Sequence, residues 1–214
     1  MQKLIIVGGK KLNGSISISG SKNATLPILA ASIISKNKVI IQNIPLVKDV
    51  ETMIDLLSLL GSKVKLFKKR KKIEILNSNK LNTFVPYKLV KTMRAGILIL
   101  GPLLARYNKA KVSLPGGCAI GSRPVDLHLE ALKKMGVNFK ISSGYINAIA
   151  KNGLIGSKIT FPKISVGATE NIMLAACLAK GKTILNNCAC EPEIKDLSRF
   201  LVKMGCKIKW LEKR

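Results

Sequence analysis

Hydrophobic and polar positions along this chain fall into a pattern that recurs. A small polar turn at 21–23 opens an apolar helical stretch, Ala24–Ser35, followed by a β-branched run, Val39-Ile40-Ile41. An amphipathic helix, Asp49–Leu60, then ends at Gly61, and another apolar strand begins. An offset of 144 residues repeats the series: Ser21 falls on Ser165, Ala24-Thr25 on Ala168-Thr169, Ala31 on Ala175, Asn43 on Asn187 and Gly61 on Gly205. The second copy reads Ala168–Ala179, Thr183-Ile184-Leu185 and Glu193–Met204. Gly61 and Gly205 stand where a helix end needs the left-handed conformation.

A middle copy lies between them: Met93–Arg106 as first helix, Lys111–Leu114 as strand, and Pro124–Met135 as second helix, closing at Gly136. Only here are strand and helix separated by an insertion, the loop Pro115–Arg123. Two copies manage with a plain connection, so the insertion points to function rather than packing. Strand pairs close the first two copies, at 63–67 with 72–75 and 138–142 with 146–149; the third has only Cys206–Trp210.

The pattern predicts an α/β domain of three βαβαββ repeats over 21–214, at about 21–76, 88–150 and 163–214. The last repeat is incomplete. Each unit's first helix is apolar almost all round, so helices should pack inside and sheets outside, an inside-out, barrel-like arrangement. Residues 1–20, with strands at Leu4–Val7 and Ser15–Ile18, form a stub expected to belong to a second domain.

Composition narrows the class. The 214 residues are 47% hydrophobic and 22% charged, which excludes wholesale disorder and fibrous repeats. The longest apolar run, Ala95–Ala105, is too short to span a bilayer, and the N-terminal apolar stretch is too short for a secretory signal, so a cytoplasmic protein is expected. The net charge of +26 raises nucleic acid as a partner. The lysines are scattered apart from Lys68–Lys72, and only 4% of residues are aromatic, which argues against it. The excess would still concentrate anionic small molecules at a cleft. Five cysteines, no C-x-x-C pair and a single histidine, His128, give no basis for a disulfide framework or a metal site.

The candidate chemistry gathers at loops and helix starts. The inserted loop holds three glycines and places Cys118 where backbone can approach closely; Lys111 and Arg123 flank it, and nearby positive charge favours the thiolate. The other cysteines have apolar or unremarkable surroundings. Ser21-Lys22-Asn23 opens one apolar helix and Lys163-Ile164-Ser165-Val166-Gly167 another. Free N–H groups, the helix dipole and a lysine suit such starts to anions, although each serves equally as a plain cap. Asp126, in Arg123-Pro124-Val125-Asp126-Leu127, reads as a base or sugar acceptor or as an N-terminal stabiliser. Arg94 reads as a phosphate clamp or a solvated end charge.

Several runs resemble one family. Ser21–Ala31, Lys91–Ala95, Leu100–Arg106, Leu114–His128, Ser165–Thr169 and Glu191–Asp196 are similar to the enolpyruvyl transferases, specifically those acting on UDP-N-acetylglucosamine. The resemblance spans essentially the whole chain, and its Cys loop is absent from the related shikimate-pathway transferase. It implies transfer of the enolpyruvyl group of phosphoenolpyruvate to the sugar 3-hydroxyl, the first committed step of peptidoglycan synthesis, with no cofactor and no membrane. It implies Cys118 as proton donor and as the thiol alkylated by fosfomycin. Lys22, Asn23 and Arg123 are implied to bind phosphoenolpyruvate. Arg94, Arg123, Pro124, Val125, Asp126, Leu127, Lys163, Ile164, Ser165, Val166 and Gly167 are implied to bind the UDP-sugar.

The chain also departs from that family, whose members are about twice as long and place the site between two similar domains. The family's general-base aspartate lies in the other domain. Cys190 stands at a usually basic position, and Leu98 where an aromatic can contact the sugar. Three readings follow: half of the transferase, working with a separately encoded second half; a UDP-sugar-binding remnant without turnover; or a basic nucleic-acid-binding domain.

Overall fold

The computed structural model describes residues 3–91, 93–115 and 125–211, and for Arg94 the backbone alone. The first repeat contains α1 (Lys22–Ala31) with a 3-10 turn (Ser32–Ile34), β1 (Val39–Ile41), α2 (Lys48–Leu59), β2 (Ser62–Phe67) and β3 (Lys72–Asn77). The middle repeat contains β4 (Phe84–Val85), α3 (Tyr87–Val90), a 3-10 stretch (Arg94–Ile99), α4 (Leu100–Tyr107), β5 (Lys109–Ser113), α5 (Asp126–Lys134), β6 (Asn138–Ser142) and β7 (Tyr145–Ile149). The third contains β8 (Lys158–Thr160), α6 (Val166–Ala176), β9 (Ile184–Asn186) and α7 (Pro192–Lys203).

The sheets are three versions of one pattern. The middle sheet runs β4-β5-β7-β6, with β4 parallel to β5 and the other pairs antiparallel. The first sheet, β1-β3-β2, reproduces its antiparallel part, with Val39 opposite Ile75 and Val64 opposite Ile75 on the other side. The third, β8-β9, reproduces its parallel part. The helices are the interior. Every residue from Thr25 to Ala31 and from Ala168 to Ala175 is buried, and α6 packs on α1, α4, α5 and α7. A helix buried all round cannot be amphipathic, which explains the largely apolar sequence of these two stretches.

Helix ends follow the sequence as expected. Gly61, Gly136 and Gly205 adopt φ of +102°, +90° and +99° just after α2, α5 and α7. Asn43 and Asn187, related by the 144-residue offset, are left-handed at +56° and +51°. The carbonyls ending the first helical stretch are taken up by two residues from other elements. Asn77 Nδ2 donates to the oxygens of Ser32 (2.6 Å) and Ser35 (2.9 Å). The Arg106 guanidinium donates to Ile33 (2.7 Å), Ser35 (3.0 Å) and Ser78 (3.2 Å), so this cation serves the fold.

Three expectations are corrected. Leu4–Val7 and Ser15–Ile18 carry no strand and are exposed, because none of the described strands offers them ladder partners. Cys206–Trp210 likewise carries no strand. The helix expected over Met93–Arg106 is divided into a 3-10 stretch and α4. Gly96 and Gly101 weaken its middle, and Pro102 has no N–H for a continuous ladder but is tolerated in the first turn of a new helix. Among the described residues no helix is long and apolar enough to cross a membrane.

Candidate anion-binding helix heads

The two helix starts singled out in the sequence share one hydrogen-bonding pattern. Ser21 Oγ accepts from Ala24 N–H at 3.3 Å, and Thr25 Oγ1 donates to the Ser21 carbonyl at 2.7 Å. Ser165 Oγ accepts from Ala168 N–H at 3.3 Å, and Thr169 Oγ1 donates to the Ser165 carbonyl at 2.8 Å. Each serine satisfies one orphan N–H of its helix and leaves earlier ones for a ligand. Neither helix has an acidic residue in its first turn, so the positive ends of α1 and α6 are not neutralised from within. Replacing Ser21 or Ser165 by alanine should each lower stability by about 1 kcal/mol, measured by urea unfolding.

Lys22 and Asn23 are exposed in the first turn of α1, and Lys22 Nζ lies 2.8 Å from Asp49 Oδ2 in the first turn of α2. Both side chains remain substantially exposed, at 48% and 33%, so the pair steers the ammonium more than it stabilises the fold. Lys163 and Ile164 are exposed before α6, while Ser165, Val166 and Gly167 are partly buried. Asp126 is the exposed first residue of α5, with Val125 and Leu127 partly buried on either side. The structure joins these last two groups: a Cβ at Gly167 would lie 3.5 Å from His128 Cε1 and 3.6 Å from Nε2. The heads of α5 and α6 therefore form one surface. Cys118, Arg123, Pro124 and the Arg94 side chain lie outside the described residues.

The Lys111 ammonium, which flanks the Cys118 loop in sequence, sits over the rings of Phe84 (5.3 Å) and Tyr145 (5.2 Å). Leu98 is 3% exposed and packs in the core. Of the other cysteines, Cys177 donates its thiol to the Met173 carbonyl at 3.2 Å and is held up by the neighbouring Cys206 and by burial, while Cys206 is lowered by the Cys177 sulfur.

Sequence reading missed three polar residues behind these heads. Asn171 is fully buried in α6 and contacts His128, which burial brings down to about 4 and so holds neutral. Glu170, 5% exposed, is pushed up to about 8 by burial and by the negative charges of Glu193 and Glu191. The available signal was Glu170-Asn171 inside an otherwise apolar helix. Glu191 Oε2 is also buried without a hydrogen-bond partner. A cavity of about 390 Å³ opens at the opposite, C-terminal ends of α4 and α6, lined by residues including Asn108, Lys151 and Lys180. It lies at the end of α6 away from the Ser165 cap and is therefore separate from the candidate site.

Comparison with known proteins gives a consistent picture. The family model for EPSP synthase (3-phosphoshikimate 1-carboxyvinyltransferase) matches residues 6–213. The chain is similar to UDP-N-acetylglucosamine 1-carboxyvinyltransferases from Pelagibacter ubique, 63% identical over 214 residues, and Rickettsia prowazekii, 56% identical over 210 residues. These alignments cover 100% and 97% of this chain but 51% and 50% of the relatives, so the chain spans about half their length. Among solved structures, the enolpyruvyl transferase NikO from Streptomyces tendae superposes with a TM-score of 0.80 at 19% identity, covering 94% of this chain and 47% of that one. EPSP synthase from Acinetobacter baumannii superposes with a TM-score of 0.68 at 16% identity, covering 85% of this chain and 42% of that one. At these identities the structural likeness speaks for the fold, the inside-out α/β arrangement expected from the repeats.

Proposed function

Since this chain belongs to the EPSP synthase (3-phosphoshikimate 1-carboxyvinyltransferase) family, we propose that it supplies one half of a site that transfers the enolpyruvyl group of phosphoenolpyruvate to the 3-hydroxyl of UDP-N-acetylglucosamine. The observation that carries this reading is the 63% identity, over all 214 residues, to a relative bearing that activity in its name. The two Ser-capped helix heads support it, because both substrates are anionic and both heads are suited to anions.

In this reading Lys22 and Asn23, with Arg123, hold phosphoenolpyruvate. The heads of α5 and α6, through Val125, Asp126, Leu127 and Lys163–Gly167, hold the UDP-sugar together with Arg94, Arg123 and Pro124. The sugar 3-hydroxyl adds to C2 of phosphoenolpyruvate while Cys118 delivers a proton to C3. This gives a phospho-ketal; loss of a C3 proton and departure of phosphate then restore the double bond. The base that takes the hydroxyl proton is assigned to the complementary half. Fixed cations and helix ends contribute by stabilising the phosphate and carboxylate without reorganising.

The test is phosphate release from phosphoenolpyruvate with UDP-N-acetylglucosamine present. The 214-residue chain alone should be silent but should bind the sugar nucleotide in calorimetry. Adding the complementary half of a related enzyme should restore turnover, and Cys118→Ser should prevent alkylation by fosfomycin. Turnover by the chain alone would contradict the half-site reading, and absence of sugar-nucleotide binding even with the complement would contradict the substrate assignment.

A further inference from the structure

One buried side chain touches three elements at once. Asn171, 0% exposed in α6, accepts on Oδ1 from the Gly101 N–H at 2.7 Å, where α4 begins. Its Nδ2 donates to the Ile97 carbonyl at 3.1 Å and lies 2.9 Å from His128 Nδ1 on α5. The amide cannot be turned over. A flipped Asn171 would set an oxygen against the Ile97 carbonyl and an NH₂ group against the Gly101 N–H. Nδ2 therefore faces His128 as a donor, which leaves Nδ1 as acceptor. A neutral imidazole then carries its proton on Nε2. That ring edge faces Gly167, at the head of α6. The same amide thus fixes the ring on α5, the α6 head beside it, and the 3-10 stretch begun by Arg94.

We propose that Asn171 is a positioning residue for the sugar-nucleotide site, fixing the Nε2–H tautomer of His128 and tying the heads of α5 and α6 to the stretch that carries Arg94. The ligand named here rests on the proposed function; the tautomer does not. Asn171 need not touch substrate. It acts through a hydrogen-bond donor held at the α6 head and through the register of three elements that would otherwise shift separately.

His128 is the only histidine in the chain, so its imidazole nitrogens can be followed by ¹⁵N NMR without competing signals. At neutral pH the unsubstituted chain should show a protonated Nε2 and an unprotonated Nδ1. Asn171→Asp keeps the acceptor for Gly101 but removes the donor, so Nδ1 should become protonated. Affinity for UDP-N-acetylglucosamine should then fall by ~10- to 100-fold, the range expected for a displaced binding group. His128→Gln preserves one acceptor and one donor on a planar group and should retain most of the affinity, whereas His128→Leu should not. A protonated Nδ1 in the unsubstituted chain would overturn the proposal, and it needs no variant to fold. Unchanged affinity in a folded Asn171→Asp protein would overturn the positioning role. The expected tautomer in a chain that binds no sugar nucleotide, even with a complementary half, would support the tautomer assignment and reject the functional reading instead.

Discussion

Replacing Glu170 with glutamine should make the protein markedly more stable at pH 8 and leave it little changed at pH 4.5. Burial, with Glu193 and Glu191 nearby, pushes the folded-state value from 4.5 up to about 8. Between those values the unfolded chain has released a proton that the folded chain retains, so stability falls as pH rises through this window. Near pH 8 the penalty is on the order of 4 kcal/mol, and a neutral amide removes it. His128 works in the opposite direction. Burial lowers it from 6.5 to about 4, so the unfolded chain binds a proton that the folded chain does not, and stability is lost as pH falls through that window. The two slopes oppose each other between about 4.5 and 6.5, leaving a plateau there and a decline above it. Urea unfolding at several pH values should show this shape. In Glu170→Gln the curve should instead rise with pH up to about 6.5 and then level. A decline above pH 6.5 that survives the substitution would show that another group is responsible.

Gly101→Ala should be strongly destabilising, costing about 3 kcal/mol or more through overpacking. A Cβ there would overlap both the Asn171 backbone oxygen and its side-chain oxygen, and would lie 3.3 Å from the Ala175 nitrogen. None of these is the far end of a flexible side chain, so α4 would have to move away from α6. That movement would also break the 2.7 Å bond from Gly101 N–H to Asn171 and free His128. Gly136→Ala is the control. It has φ of +90° but an open surrounding, so it should carry only the strain of a left-handed alanine, about 1–2 kcal/mol. Equal losses in the two variants would refute the close-approach argument.

Both predictions turn on residues whose roles are decided by neighbours distant in sequence. The serine caps at Ser21 and Ser165 are different: a cap and the N–H groups behind it are local, and the repeat marked them twice. Cys118 could be singled out because its inserted loop interrupts that repeat. Its assigned role came from resemblance, because spacing alone cannot distinguish a proton donor from another exposed thiol.

What the sequence by itself determined is what short-range periodicity and steric preference encode. The helices at 22–31, 48–59, 126–134, 166–176 and 192–203 were legible from apolar spacing, and the left-handed glycines at 61, 136 and 205 from their places after helix ends. The interior placement of α1 and α6 was legible too, because a helix without a polar face must be surrounded. Only the tertiary structure decided whether an expected strand forms, since a ladder needs a partner. Leu4–Val7, Ser15–Ile18 and Cys206–Trp210 have strand-like sequence but no strand among the described residues. It also decided which polar groups serve the fold and which face the site. Arg106 is occupied by the carbonyls of Ile33, Ser35 and Ser78, Lys111 lies over two rings, and Asn171 joins residues 97, 101 and 128. Hydrogen bonding, desolvation and cation–π attraction act over a few ångströms of space, and the partners that supply them here are tens of residues away along the chain.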